Sequence, residues 1–157
     1  MPRITPNLWF DTHALEAAEF YVSMFPNSAI GEITYHIEGS PGPAGTVQTV
    51  NFTLDGQPFT GINGGPQFTF SEAVSLLIDC ADQAELDHYW DKLTEGGEGV
   101  QCGWLRDRYG LSWQVVPKGW EALMNDPDPD RVARATAAML GMVKLDMAAL
   151  EAAADGR

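Results

Sequence analysis

From Ala14 to Met24 apolar residues recur at helical spacing, with Leu15, Ala18, Tyr21, Val22 and then Phe25 on one stripe, and Pro26-Asn27-Ser28 closes the element. The run Ile4 to Phe10 ahead of it is short, apolar and contains Pro6, which predicts a strand whose proline lies at its start or at a sheet edge. Asp11 and Thr12 stand where a helix cap is needed. Beyond the helix, Ile30 to Ile37 and Thr46 to Leu54 alternate in the manner of strands around the Pro/Gly loop Gly39 to Gly45, and Asp55-Gly56 turns the chain into a fourth strand. The first half therefore reads β-α-β-β-β.

Asn63-Gly64-Gly65-Pro66 breaks regular structure, and a similar order then begins again. Ala73 to Asp79 predicts a strand. Ala84 to Leu93 predicts a helix with Leu86, Tyr89, Trp90 and Leu93 on one face, stopped by Gly96-Gly97, and Val100 to Leu105 and Leu111 to Val116 supply further strands. Aligning Gly56 with Gly110 sets Phe59 against Trp113 and Thr60 against Gln114; separately, Phe20-Tyr21 matches Tyr89-Trp90 on the two helices, and counting back by that helix offset sets Pro6 against Ser75. A repeated half-domain with a site between the halves is the expectation. The stiff acidic break Asn125 to Asp130 can cap a following helix, whose apolar face carries Val132, Ala135, Thr136, Met139, Leu140 and Val143, and a further helical stretch follows Asp146. That face must pack on its own domain or on a second subunit.

Composition narrows the partners. A chain of 157 residues, 45% hydrophobic, suits one domain with a sizeable core. With 22 acidic against 9 basic residues its net charge is −13, which repels phosphate backbones and anionic membrane surfaces and excludes nucleic acid as the expected partner. No run approaches the ~20 apolar residues of a membrane span. Two cysteines, Cys80 and Cys102, and an N-terminus without a long apolar stretch point to a reducing cytoplasm.

The segments Leu8-Trp9-Phe10-Asp11, Phe20 to Ser28, Asp55 to Phe59, Asn63 to Pro66 and Gln101 to Asp107, in that order, resemble the PhnB-like family. Its members are often labelled demethylubiquinone methyltransferase-like and belong to the vicinal oxygen chelate superfamily, alongside glyoxalase I, bleomycin-resistance proteins and extradiol dioxygenases. The resemblance spans nearly the whole chain. It implies an α+β fold in which two paired βαβββ modules form a cupped, barrel-like mixed sheet with a cavity, plus a C-terminal helical extension, commonly as a homodimer. The chain is then one domain, 1–157, with module one about 1–66, module two about 67–117 and the C-terminal helices about 118–157.

In metal-using relatives four ligands, mostly His and Glu with some Gln, lie on the first and last strands of each module. Here those positions fall at Pro6 or, one residue along, Asn7; at Thr60; at Ser75; and at Gln114. None is a carboxylate or an imidazole, and neutral amide and hydroxyl oxygens compensate little of a cation's lost hydration, so neither a metal nor another cofactor is expected. The expected role is metal-free binding of a small, partly apolar molecule in the sheet cavity. Gln114, Thr60, Ser75, Asn7, Asn63, Trp104 and Arg106 are the candidate ligand-binding residues, with aromatic walls and a few polar groups to orient the ligand. The alternative is an enzyme of the same superfamily, metal-assisted or using His36 or Cys102. His36 is otherwise read as a surface histidine and Cys102 as a buried thiol. The methyltransferase label finds no strand followed by a glycine-rich cofactor turn at the start of the chain.

Overall fold

The computed structural model describes residues 1–157, which divide into two compact units, Met1–Phe70 and Ser71–Arg157. In the first, β1 (Asn7–Phe10), α1 (Ala14–Met24), β2 (Ala29–Tyr35), β3 (Val47–Leu54) and β4 (Gln57–Asn63) follow one another. The sheet order is β1-β4-β3-β2, with β1 parallel to β4 and the other pairs antiparallel. The expected helix has its bounds unchanged because its stripe is real: Ala14, Ala17, Ala18, Tyr21 and Met24 are buried. They share the interior with Leu8, Phe10, Val50, Phe52, Leu54 and Phe59. Small side chains on the helix are matched by a missing one on the sheet. A Cβ on Gly61 would lie 3.2 Å from the Ala14 Cβ and 3.1 Å from Val50, so this glycine permits close helix-to-strand approach. The Asp55-Gly56 turn has positive φ at both residues (49° and 78°), as a two-residue hairpin requires.

The second unit repeats this topology. After β5 (Ser75–Cys80) and α2 (Gln83–Thr94) come β6 (Glu98–Gly99), β7 (Trp104–Arg106) and β8 (Ser112–Pro117), in the sheet order β5-β8-β7-β6. Leu86, Tyr89, Trp90 and Leu93 form the buried face of α2, as their spacing predicts. The fold is thus α+β with two βαβββ modules, and its hydrogen bonding is divided between two open four-stranded sheets.

Three local expectations are corrected. The strand expected over Val100 to Leu105 is broken, because Cys102 (φ 56°) and Gly103 (φ 83°) both adopt left-handed backbone and donate their N–H groups to Met142 and Val143. Neither Asp11 nor Thr12 caps α1. Its N-cap is His13, which makes no capping side-chain bond, and the Ala14 N–H is taken by Asn63 Oδ1 from the far end of β4 (2.9 Å). The repeat offset at the first strands is also one residue too short: the ladders pair Asn7 with Thr60 and Leu77 with Gln114.

The C-terminal segment forms α3 (Trp120–Met124), α4 (Pro129–Leu140) and α5 (Met147–Ala154). The acidic break works as expected, with Asp128 accepting from Asp130 N–H at the start of α4. The segment packs within its own unit. Gln83 on α2 donates to the Leu145 carbonyl and accepts from the Met147 N–H, Lys144 pairs with Asp87 at 2.6 Å, and Leu145 is buried against Gly103.

Candidate functional site

On β8, Trp113 and Val115 are buried while Gln114 between them is only half-buried, so Gln114 belongs to the face opposite the one that Trp113 and Val115 bury. Cross-strand pairing sets Gln114 opposite Trp104 on β7 and Leu77 on β5, and Ser112 opposite Arg106 and Ser75. Four of the expected site residues, Ser75, Trp104, Arg106 and Gln114, therefore share one face of one sheet. Gln114 Nε2 donates to Ser75 Oγ (2.9 Å), which leaves the amide oxygen as an acceptor and the serine O–H as a donor. Leu77, 53% exposed, adds an apolar surface directly beside this pair.

Arg106 stands on this face but is already engaged. Its guanidinium donates to Glu72 (2.5 Å) and Glu98 (2.6 Å). A hydrogen bond from its own backbone N–H and the Arg106 guanidinium hold the Glu72 carboxyl below its ordinary range, and Glu72 with Glu98 raises Arg106. Two carboxylates on one guanidinium leave the trio with a net negative charge, so this face is poorly suited to an anion. Glu72 lies outside any strand, which is why alternation gave no signal for it.

The first sheet carries a related row. Asn7, Thr60 and Asn51 are cross-strand neighbours on β1, β4 and β3 and alternate with the buried Leu8, Phe59, Val50 and Phe52. Of the two alternatives at the first strand, Asn7 is the one paired with Thr60. Thr60 Oγ1 donates to Asn51 Oδ1 (2.8 Å), Asn7 Nδ2 donates to the Thr5 carbonyl, and a hollow of about 330 Å³ lies against Thr60 and Asn51. Asn63 has a different occupation. Its Oδ1 caps α1 and its Nδ2 donates to the Val47 carbonyl (3.0 Å), so both ends of the amide are used in joining helix and sheet. Phe52, Phe59 and Trp113 are core aromatics, whereas Trp9 is half-buried with its indole N–H on the Gly65 carbonyl and Phe68 edge-on at 5.0 Å.

The donor set does not fit a divalent metal. Asn7, Thr60, Ser75, Leu77 and Gln114 provide no imidazole and no carboxylate, and no group of three or more His, Cys, Asp or Glu side chains is arranged to hold an ion. Cys80, not Cys102, is the buried thiol; burial, with Glu85, Asp79 and Asp82 adding to it, pushes it up to about 12 and keeps it protonated at neutral pH. His36 corrects the surface reading: it is 6% exposed, beyond the end of β2, with Nδ1 2.9 Å from Ser40 Oγ. No helix is long and apolar enough to cross a membrane.

Two βαβββ modules, each with polar residues on one strand face, make up the α+β fold of this chain. The model of the family described as 3-demethylubiquinone-9 3-methyltransferase matches residues 2–116. Among solved structures, the PhnB protein of Bacillus cereus, provisionally named a 3-demethylubiquinone-9 3-methyltransferase, is 38% identical over 74% of this chain and 99% of its own, with a TM-score of 0.68. Protein PA1353 from Pseudomonas aeruginosa shares the fold at 19% identity and a TM-score of 0.59, covering 75% of this chain and 98% of its own. A glyoxylase/bleomycin resistance protein/dioxygenase domain from Frankia sp. EAN1pec is a more distant neighbour, 11% identical over 75% of this chain and 93% of its own, with a TM-score of 0.41. No curated protein matches the chain. The chain belongs to the PhnB-like, 3-demethylubiquinone-9 3-methyltransferase family.

Proposed function

We propose that the protein binds a small, uncharged, partly apolar molecule on its open strand faces without a metal ion, as a homodimeric single-domain protein of the cytoplasm. The observation that carries this reading is the Gln114–Ser75 pair. It offers one acceptor and one donor side by side, next to the exposed Leu77 and the half-buried Trp104. A molecule with a donor and an acceptor on neighbouring atoms, such as an amide, an enol or a hydroxy-carbonyl compound, matches that arrangement while its apolar part covers Leu77 and Trp104. Arg106, neutralised by Glu72 and Glu98, contributes planar packing and spare N–H groups in place of an anion site. On the first sheet, Asn7 and Thr60 serve the same kind of contact, and Asn63 supports them by holding β4 to α1. Exposed Phe68 and Val100 supply apolar area for a subunit contact, and free cysteines suit a reducing compartment.

The family description makes methyl transfer the second reading. β1 leads into α1 through Asp11-Thr12-His13, with no glycine-rich turn to hold a nucleotide-like methyl donor, so that reading has less support in this chain. Native mass spectrometry of the purified protein tests the binding reading. Wild type carries a co-purified small molecule on a two-chain species, and Gln114→Leu loses it while keeping the two-chain mass. Equal occupancy in the variant removes Gln114 from the site, and a monomer removes the dimer.

A further inference from the structure

A second hollow of the first unit lies away from the row of Asn7, Thr60 and Asn51. It is a cleft of about 590 Å³ between the start of α1, the Pro41-Gly42-Pro43 loop and the Asn63 to Pro66 turn, within the size range of small-molecule pockets. Its walls are built to stay open. Prolines at 41, 43 and 66 stiffen them, and the glycines cannot be replaced by larger residues without loss of shape. A Cβ on Gly42 would fall 2.3 Å from His36 Nε2, and one on Gly64 would fall 2.2 Å from the Trp9 ring. Leu15 and Val47 give the cleft an apolar floor.

His36 is the informative group. Its ring is more than nine-tenths buried and is oriented by the bond between Nδ1 and Ser40, yet Nε2 makes no hydrogen bond within the protein. Since no buried side-chain nitrogen or oxygen is left without a partner, Nε2 reaches the open volume that His36 lines. In the tautomer that donates Nδ1–H to Ser40 Oγ, Nε2 is an acceptor. In the same lining, the exposed Asp11 carboxylate is the only formal charge and has no hydrogen-bond partner, while Asn63 has spent its amide on the backbone.

We propose that this cleft is a second binding site, selective for a small amine: the ammonium group donates to Asp11 and to His36 Nε2, and its apolar body rests on Leu15, Val47 and the prolines. An anion of the same shape is repelled by Asp11 and meets no cation in the lining. The site is separate from the strand-face residues, so its test does not depend on the binding proposed there.

The test is a pair of titrations followed by ¹H–¹⁵N NMR, with benzylamine and with benzoate as probes, on wild type, Asp11→Asn and His36→Phe. Benzylamine is expected to give saturable shifts centred on Gly42, Gly64, Gly65 and Gln67. Benzoate gives none there, and each variant weakens benzylamine about tenfold, the size of one lost charge-assisted hydrogen bond. Asp11 is exposed, so Asp11→Asn keeps its fold and decides the matter if His36→Phe does not fold. Benzylamine shifts centred on Thr60 or Gln114, equal binding of benzoate, or unchanged affinity in a native-like Asp11→Asn would each overturn the proposal.

Discussion

At the scale of single residues, the most consequential polar groups in this chain bind their own backbone. Asp107 is 3% exposed and holds the turn into β8 by accepting from Tyr109 N–H (2.8 Å), Leu111 N–H (3.1 Å) and the Trp113 indole N–H (2.9 Å). Gln114 owes its place to this bracket, since it follows Trp113 directly. Asp107→Ala leaves three donors short of an acceptor and should cost about 2–4 kcal/mol, whereas Asn63→Ala, which loses a helix cap and one strand bond, should cost about 1–2 kcal/mol. Urea denaturation followed by tryptophan fluorescence measures both, and a midpoint unchanged in Asp107→Ala would contradict the bracket. Much of this was legible in the sequence and some was not. Alternation around Trp113 and Val115 correctly set Gln114 on the other face, because strand alternation is a local rule. Asn63 reads as a turn residue in the sequence, yet it caps a helix that starts 49 positions earlier, and Glu72 meets Arg106 from 34 positions away. No local pattern carries such pairings. His36 was misjudged for the same reason: the loop that buries it, through Gly42, has no periodicity to read.

At the scale of elements, the two helices with continuous apolar stripes were the most legible and the short strands the least. α1 and α2 bury the residues their spacing nominates. By contrast, β6 and β7 are two and three residues long, because the backbone at Cys102 and Gly103 turns away to bond Met142 and Val143. Those partners lie in the C-terminal segment, whose packing no sequence pattern fixes. Its helices are tied by ion pairs that respond to acid. Arg131 pairs with Asp126 (3.1 Å) and with Asp155, and Arg134 donates to the Ala153 and Ala154 carbonyls at the end of α5. A hydrogen bond from the Asp128 backbone N–H and the Arg131 guanidinium lower the Asp126 carboxyl; Arg131 and then Arg157 lower that of Asp155. A carboxyl lowered in the folded state stabilises it above the unfolded carboxyl value of about 3.9, and this contribution is lost as pH falls through the folded value. Arg131 stays charged throughout. Hydrogen exchange in α4 and α5, corrected for intrinsic rates, should therefore be unchanged from pH 7 to about 4.5 and rise selectively below about 4. A selective rise already present between pH 7 and 5 would contradict the assignment to these carboxylates.

At the scale of the whole molecule, the chain runs one topology twice. The order β1-β4-β3-β2 is matched by β5-β8-β7-β6, and the central positions carry Asn7, Thr60, Leu77 and Gln114. Family membership fixes the scaffold, but function on a shared scaffold resides in the side chains of the site. These side chains are neutral hydrogen-bonding or apolar groups, two of them already paired with Asn51 and Ser75. Such groups compensate little of the hydration shell of a divalent cation. Elemental analysis of protein purified without chelator and without added metal tests this most directly. The account predicts less than about a tenth of an equivalent of zinc, iron, nickel or manganese per chain, in keeping with a donor set that has no imidazole or carboxylate. One equivalent of any of them per chain, lost in Gln114→Leu, would contradict it.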